Sequence, residues 1–301
     1  MFKAKSDTIE HYSFFSLLKG ILMTQHFDHK PVVLCFSGLD PSGGAGIQAD
    51  IESLISTGCH PASIVTCVTA QNTQTVHSWQ PIAPGMIAQQ ARMVLQDMPV
   101  AAIKIGMIGT IEVLEIILQV ISDNPELPVV VDPVLRSGSG QDLVQMELHN
   151  AIREELIPRS TVITPNSVEL KTLAGTVPSL EDAVFRLLGL GCQSICVTGG
   201  HLDSPKIRNR LWEMYDLVYD RSWNKIEGEF HGTGCTFASA VAGNLAHGMS
   251  TLQAVTKADE FTWQAVSKAF NLGQGQAIPN RTHWLSDSPR RPLAKKSILT
   301  H

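Results

Sequence analysis

The sequence predicts a doubly wound α/β domain, and three observations carry that prediction. From Pro31 onward, short β-branched or apolar runs alternate with longer stretches of helical period. The connections are short and the alternation repeats, as when successive βα units feed a mainly parallel sheet. A chain of 301 residues, 44% hydrophobic and 17% charged, can bury a large core and is too apolar to stay disordered.

In chain order, the apolar runs predict strands at residues 32–36, 63–69, 102–105, 129–131, 161–163 and 194–197. Between them, helical periodicity predicts helices near 47–56, 84–96, 111–121, 144–156, 167–174 and 180–188. The stretch that follows differs: two strand-like runs, 211–219 and 222–226, flank Asp220-Arg221 and read as a small antiparallel hairpin near the sheet edge. Two more helices are expected at 233–246 and 252–270. This divides the chain into an N-terminal extension over 1–30, expected to be poorly ordered, a domain over 31–280, and a flexible basic tail over 281–301.

Charge and composition exclude several functions. The net charge of −5, from 23 basic and 28 acidic residues, gives no basic field to hold nucleic acid or an anionic membrane. No stretch approaches the ~18 uninterrupted apolar residues of a membrane span. The six cysteines, at 35, 59, 67, 192, 196 and 235, form no CxxC pair and no zinc spacing, so buried, reduced thiols are expected. The apolar patch over 14–23 is interrupted by Lys19 and lacks a small-residue cleavage site, which points to a cytoplasmic address.

Four segments can carry chemistry. The Gly38 to Asp50 segment, with Gly43-Gly44-Ala45-Gly46, leaves a strand and opens a helix. Its spacing is not GxGxxG, so it is either a tight strand-to-helix turn or a place where backbone meets an anion. The run His231-Gly232-Thr233-Gly234-Cys235-Thr236 precedes an alanine-rich helix. Its small residues put successive N–H groups at a helix start, fit for a phosphate, and set Cys235 where the macrodipole lowers a thiol pKa. The competing reading is an ordinary capped helix with a buried cysteine, and His231 reads as a packing or capping residue. In Thr164-Pro165-Asn166-Ser167-Val168-Glu169, the last residue either closes a capping box or holds magnesium through water. Asp132, after a strand, is either a turn former or a ligand at the sheet's functional edge.

Taken together and in this order, these segments resemble the ribokinase-like kinases, in particular the hydroxymethylpyrimidine/phosphomethylpyrimidine kinases of thiamin biosynthesis. Thr69-Ala70-Gln71-Asn72-Thr73, Lys104-Ile105-Gly106-Met107, Asp132-Pro133-Val134 and Gly199-Gly200-His201 complete the match. The resemblance implies a three-layer α/β/α fold around a mostly parallel sheet. It implies ATP-dependent phosphorylation of 4-amino-5-hydroxymethyl-2-methylpyrimidine and then of its monophosphate. It assigns Gly38, Asp50, Gln71, Met107 and Val134 to the pyrimidine, and Asn166, Thr198, Gly199 and Gly200 to the nucleotide. Gly232, Thr233, Gly234 and Cys235 take the transferring phosphoryl group and the alcohol's proton, with Mg2+ held through water by Glu169 and Asp132. Gln71 suits its role because a primary amide offers both a donor and an acceptor to an aminopyrimidine. The partner implied is a small pyrimidine, with no nucleic acid and no membrane, and with room for a homodimer.

One departure stands out. Thr198 precedes Gly199-Gly200-His201 where the family often has a lysine, and a hydroxyl does not replace a cation on a phosphate. Another residue then supplies the charge, or nucleotide affinity falls, or specificity drifts toward the vitamin B6 kinases. The alternatives are accordingly a pyridoxal/pyridoxine kinase and, from another class, a non-catalytic ligand-sensing module on the same fold. A nucleotide-dependent oxidoreductase is disfavoured for want of a ribose-binding acid after a GxGxxG.

Overall fold

Alternation along the first strand decides the layers. In the computed structural model, which describes residues 30–135, 146–199 and 205–285, β1 spans Val32–Leu39. Val32, Leu34 and Phe36 face one hydrophobic cluster while Val33 and Cys35 face another, as a period of two requires when both sheet faces are covered. The strands β2 (His60–Gln71), β3 (Val76–Pro81), β4 (Val100–Ile105), β5 (Val129–Val131), β6 (Val162–Ile163), β7 (Ser194–Val197), β8 (Lys206–Glu213) and β9 (Asp216–Asn224) complete one sheet. Its order is β3-β2-β1-β4-β5-β6-β7-β8-β9, parallel from β2 to β7 and antiparallel at both ends.

The helices divide between the two faces. Helices α2 (Pro84–Asp97), α3 (Ile111–Asp123), α5 (Ser167–Ala174) and α6 (Leu180–Leu188), with α4 (Met146–Ala151), supply the first cluster. Helices α1 (Gly46–Ser56), α7 (Thr233–Ala246) and α8 (Thr251–Ser267) supply the second. The three-layer α/β/α arrangement is therefore present.

Four details depart from expectation. The hairpin exists at the sheet edge, but its turn falls at Met214-Tyr215, both left-handed at φ 46° and 72°, and not at Asp220-Arg221. Asp220 instead lies inside β9 and pairs with Arg208 across the ladder, a pairing that outweighs its turn propensity. Strand β3 was not expected, because Val-His-Ser-Trp-Gln-Pro is an edge strand with a mostly exposed, polar face. The helix expected over 144–156 continues beyond Ala151 as a π turn, Ile152–Leu156, and residues 144 and 145 lie outside the described ones. The tail does not begin at 281: Arg281 is among the most buried side chains and His283–Leu285 form a 3-10 turn. Of the extension over 1–30, all but Lys30 lies outside the described residues.

Among the described residues no helix is long and apolar enough to cross a membrane.

Candidate active site

Strand order locates the site. Because β1 sits between β2 and β4, the chain leaves it in opposite directions, and the crevice at such a switch point opens at the carboxyl ends of the strands. That edge carries Gly38 to Asp40 at the end of β1, Gly106 and Met107 after β4, Asp132 after β5, Thr164 to Asn166 after β6, and Thr198 and Gly199 after β7.

The glycine-rich loop after β1 is tied up internally. The Asp40 carboxylate accepts from the Ser42 amide, the Ser42 hydroxyl and the Ala45 amide at 2.7–2.8 Å, so those donors are not free for an anion. The tight-turn reading holds for this segment. Burial would raise the Asp40 carboxyl, but the hydrogen bonds from His231, Ser42 and Ala45 outweigh it and hold the group below the usual carboxylate range. His231 Nε2 lies 3.1 Å from Asp40 Oδ2, so this histidine fastens one loop to the other.

The loop it reaches is the start of α7. Gly232 takes the N-cap position at φ 78°, and no side chain caps the helix, which leaves its first amides for a ligand. A Cβ at Gly232 would meet the Gly44 carbonyl at 1.9 Å in a backbone conformation that side chains avoid. We expect Gly232→Ala to lower both Tm and kcat, the latter at least about tenfold, because the loops must separate and the amides lose their aim. Thermal melts and steady-state rates check this. Arg281 holds the same junction from behind. It donates to Thr236 Oγ1 at 2.8 Å, to the carbonyls of Gly43 and Gly44, and to Glu52. Nothing in its sequence context signalled that role.

Cys235, in the first turn of α7, departs from expectation. Burial, then the charge of Asp132, push its thiol up to about 12, overriding the helix dipole and the favourable Lys104 charge. The protein thus holds a neutral thiol that hydrogen-bonds to the Asp132 carboxylate, while the Gly46 amide faces the sulfur. Asp132 itself is raised by burial, opposed by Lys104 and by that thiol. A Cβ at Gly234 would lie 3.6 Å from Asp132 Oδ1, so the start of the helix and this carboxylate share one small volume.

Beneath them lies a charged network that the motifs did not announce. Lys104 Nζ lies 2.7 Å from Asp50 Oδ1 and 3.0 Å from Ser37 Oγ, and both ionic side chains are fully buried. Asp50 also accepts from Ser37 Oγ at 2.6 Å and from Ser239 Oγ at 2.7 Å. Asp50 was expected to contact the pyrimidine; in the structure its carboxylate is bonded to Lys104, Ser37 and Ser239 and its exposure is 0%, so it lies below the surface of the site. Burial alone would lower the lysine's pKa. The Asp50 carboxylate outweighs that and, with Cys235 and Asp132 nearby, holds the ammonium above its ordinary pKa. Ser239 stands one turn after Cys235 on the same helix face, so the network links the sheet to the helix that carries the thiol. Lysine in the Lys104-Ile105-Gly106-Met107 segment was the available signal, since an isolated lysine in an apolar strand must find a carboxylate.

On the other side of β1, Met107 and Cys67 form a small cluster with Trp79 and Val134, apart from the two main cores. A Cβ at Gly38 would meet Cys67 Sγ at 2.9 Å and Met107 Sδ at 3.3 Å. The structure therefore gathers Gly38, Met107 and Val134, and half-buried Gln71 ends the strand that carries Cys67.

At the β6 end, Asn166 Oδ1 accepts from the Val168 and Glu169 amides at 2.9 Å, and Glu169 Oε2 accepts from the Asn166 amide at 2.9 Å. This is the capping box foreseen as an alternative. Burial and the Asp132 charge push Glu169 up to about 8. Among the described residues no three His, Cys, Asp or Glu side chains form a metal cage. The buried Asp132 and the half-buried Glu169 are carboxylates close enough for the charge of one to raise the other, and such a pair fits a hard divalent cation that completes its shell with water and phosphate oxygens. Thr198 bridges to Asn166, and its amide donates to the Pro165 carbonyl at 2.9 Å. Gly199 packs on the backbone of Arg208, where a Cβ would meet atoms at 2.6 Å, and its amide donates to Asn209 Oδ1. Gly200 lies outside the described residues. Next to His231 a cavity of about 560 Å³ is lined by Ile226, Glu229, Phe230, Val266, Gly275 and Ala277.

A sheet of this order, with an uncapped helix start and a sulfur-lined recess that both abut the segment leaving β1, is that of an ATP-dependent small-molecule kinase of ribokinase-like build. A family model described as phosphomethylpyrimidine kinase matches residues 40–280, and the chain belongs to that family. It is 35% identical over 262 residues to the hydroxymethylpyrimidine/phosphomethylpyrimidine kinase of Haemophilus influenzae, covering 84% of this chain and 96% of that one. Among solved structures, the pyridoxal kinase of Bacillus subtilis in complex with ADP superposes with a TM-score of 0.77 at 29% identity, covering 85% of this chain and 99% of the other. The phosphomethylpyrimidine kinase of Clostridium difficile 630 does so with a TM-score of 0.68 at 31% identity, covering 79% and 100%.

Proposed function

We propose that this kinase transfers the γ-phosphoryl group of ATP to the hydroxymethyl group of 4-amino-5-hydroxymethyl-2-methylpyrimidine and then to the resulting monophosphate. The observation that carries the reading is the juxtaposition of the uncapped α7 start with the Cys67–Met107 recess, both abutting the loop after β1. In phosphoryl transfer the protein mainly positions groups and stabilises charge, and these two features divide that work between phosphate and ring.

The amides of Thr233, Gly234 and Cys235 bind the transferring group. The cavity beside His231 has the size for a nucleoside, with Phe230, Val266 and Ala277 as apolar lining, and it is not lined by Asn166, Thr198 or Gly199, the residues that the resemblance assigns to the nucleotide. Gln71 meets the polar edge of the ring, and Met107 and Val134 its apolar parts. Cys235 and Asp132 act as one proton acceptor: the sulfur takes the alcohol's proton as its own passes to the carboxylate. Lys104, buried below, stabilises the negative charge that this relay moves. Mg2+ would be held through water by Asp132 and Glu169, and when bound it neutralises phosphate charge. Asn166 positions Glu169 through the capping box. Lys104 is fully buried and bonded to Asp50 and Ser37, so it does not replace the family's lysine at position 198.

A measurement of ATP consumption across the aminopyrimidine, its monophosphate, pyridoxal and pyridoxine, with and without magnesium, tests the proposal. Turnover of the first two in preference to the vitamin B6 forms, dependent on magnesium, is expected. Preference for pyridoxal would favour the second reading, for which the likeness to the Bacillus subtilis pyridoxal kinase speaks. Gln71→Leu should raise KM for the aminopyrimidine about 10- to 100-fold by leaving ring polar groups unpaired, with a smaller change in kcat. Steady-state kinetics that leave KM and substrate preference unchanged would remove the assignment.

A further inference from the structure

We propose that Trp79 is the wall on which the acceptor's ring stacks, and that it sets which aromatic alcohols the kinase accepts; this deepens the function proposed above and rests on it. The placement follows from strand pairing. Cys67 faces Pro81 and Thr69 faces Trp79 across the β2–β3 ladder, so the indole projects from the same face as the Thr69 and Cys67 side chains. That face looks toward the end of β1, since the Thr69 hydroxyl donates to the Leu39 carbonyl at 2.9 Å. There Trp79 packs against Cys67 and Met107, with Val134 completing the group, and a Cβ at Gly109 would lie 3.6 Å from the indole ring.

The indole is not needed to close the domain. None of these residues belongs to either main core, and Trp79 sits on an edge strand whose neighbours Ser78 and Gln80 are exposed. An aromatic face there, beside two polarisable sulfurs, matches a flat nitrogen heterocycle, because offset π stacking and sulfur contacts both favour such rings. Gln71 and Trp79 then divide recognition: the amide reads the ring's polar edge and the indole its face. A ring that must stack on Trp79 beside Met107 is favoured when it carries few substituents, which favours the pyrimidine over the more heavily substituted pyridine of pyridoxal.

Steady-state kinetics and fluorescence on the full chain test this. Trp79→Val should raise KM for the aminopyrimidine alcohol about tenfold, the equivalent of one good aromatic contact, with kcat within about threefold. The ratio of kcat/KM for that alcohol over pyridoxal should fall by a similar factor. Trp79→Phe, which keeps a ring, should stay within about threefold of the parent KM. The chain has five tryptophans, and saturable quenching of their emission by the aminopyrimidine should vanish in Trp79→Phe. That titration decides the matter even if the valine variant does not fold. An unchanged KM and selectivity in Trp79→Val, or quenching that persists in Trp79→Phe, would overturn the assignment. A parent protein that phosphorylates neither alcohol would defeat the proposed function instead, and the titration would still decide whether Trp79 meets the ring.

Discussion

Lys104→Met loses about 3–5 kcal/mol of stability, because it leaves Asp50 charged, fully buried and without its cation. An exposed ion pair would be worth at most about 1 kcal/mol, so the size of the loss itself reports the burial. Removing both charges separates structure from chemistry: Lys104→Met with Asp50→Leu should recover more than half of the lost stability, since a buried pair rarely outperforms apolar residues of similar volume. Activity should not recover. The cation beneath Cys235 and Asp132 is still missing, and kcat should remain reduced by about 10²-fold or more. Denaturant melts and kcat on the single and double variants check both halves. A double variant as active as the parent would reduce the network to a structural support.

Cys235→Ala slows the first phosphorylation about 10²- to 10⁴-fold and the second by about tenfold at most. An alcohol must lose a proton as it attacks, whereas a phosphate monoester is already largely ionised near neutral pH. The raised thiol sharpens the expectation. A sulfur held up near 12 accepts a proton only if it gives its own to Asp132, so Asp132→Asn should show the same asymmetry between the two steps. Rates measured separately on the aminopyrimidine and on its monophosphate decide the point, and equal losses in both steps would remove the relay.

Much of the fold was legible because the strands of the central sheet are short, apolar and buried on both faces. The runs 129–131 and 194–197 and the helices 167–174, 180–188 and 233–246 coincide with elements of the structure. What escaped has a common cause: strand β3 and the turn at Met214-Tyr215 lie at sheet edges, where pairing geometry and not hydrophobic pattern decides conformation. The site divides in the same way. Glycine-rich turns and the Asn166–Glu169 spacing carry local signatures, and so were visible. The Lys104–Asp50 pair, the His231–Asp40 bond and the bonds of Arg281 join residues 54, 191 and up to 238 positions apart, and no local pattern encodes such a meeting. Asp50 shows the cost of this: its motif marked it as important, but the partner that its helix turns it toward lies on strand β4. Cys235 shows it again, since a helix dipole is readable from sequence while a carboxylate arriving from β5 is not.

In the proposed function the first amides of α7 hold the transferring phosphoryl group beside a ring seated in the Cys67–Met107 recess. A crystal structure with a non-hydrolysable ATP analogue and the aminopyrimidine alcohol tests it most directly. The γ-phosphate oxygens should lie within about 3 Å of the Thr233, Gly234 and Cys235 amides, and the hydroxymethyl oxygen within hydrogen-bond reach of the Cys235 sulfur. A γ-phosphate bound away from Gly232–Cys235, or a ring seated outside the recess, would contradict it.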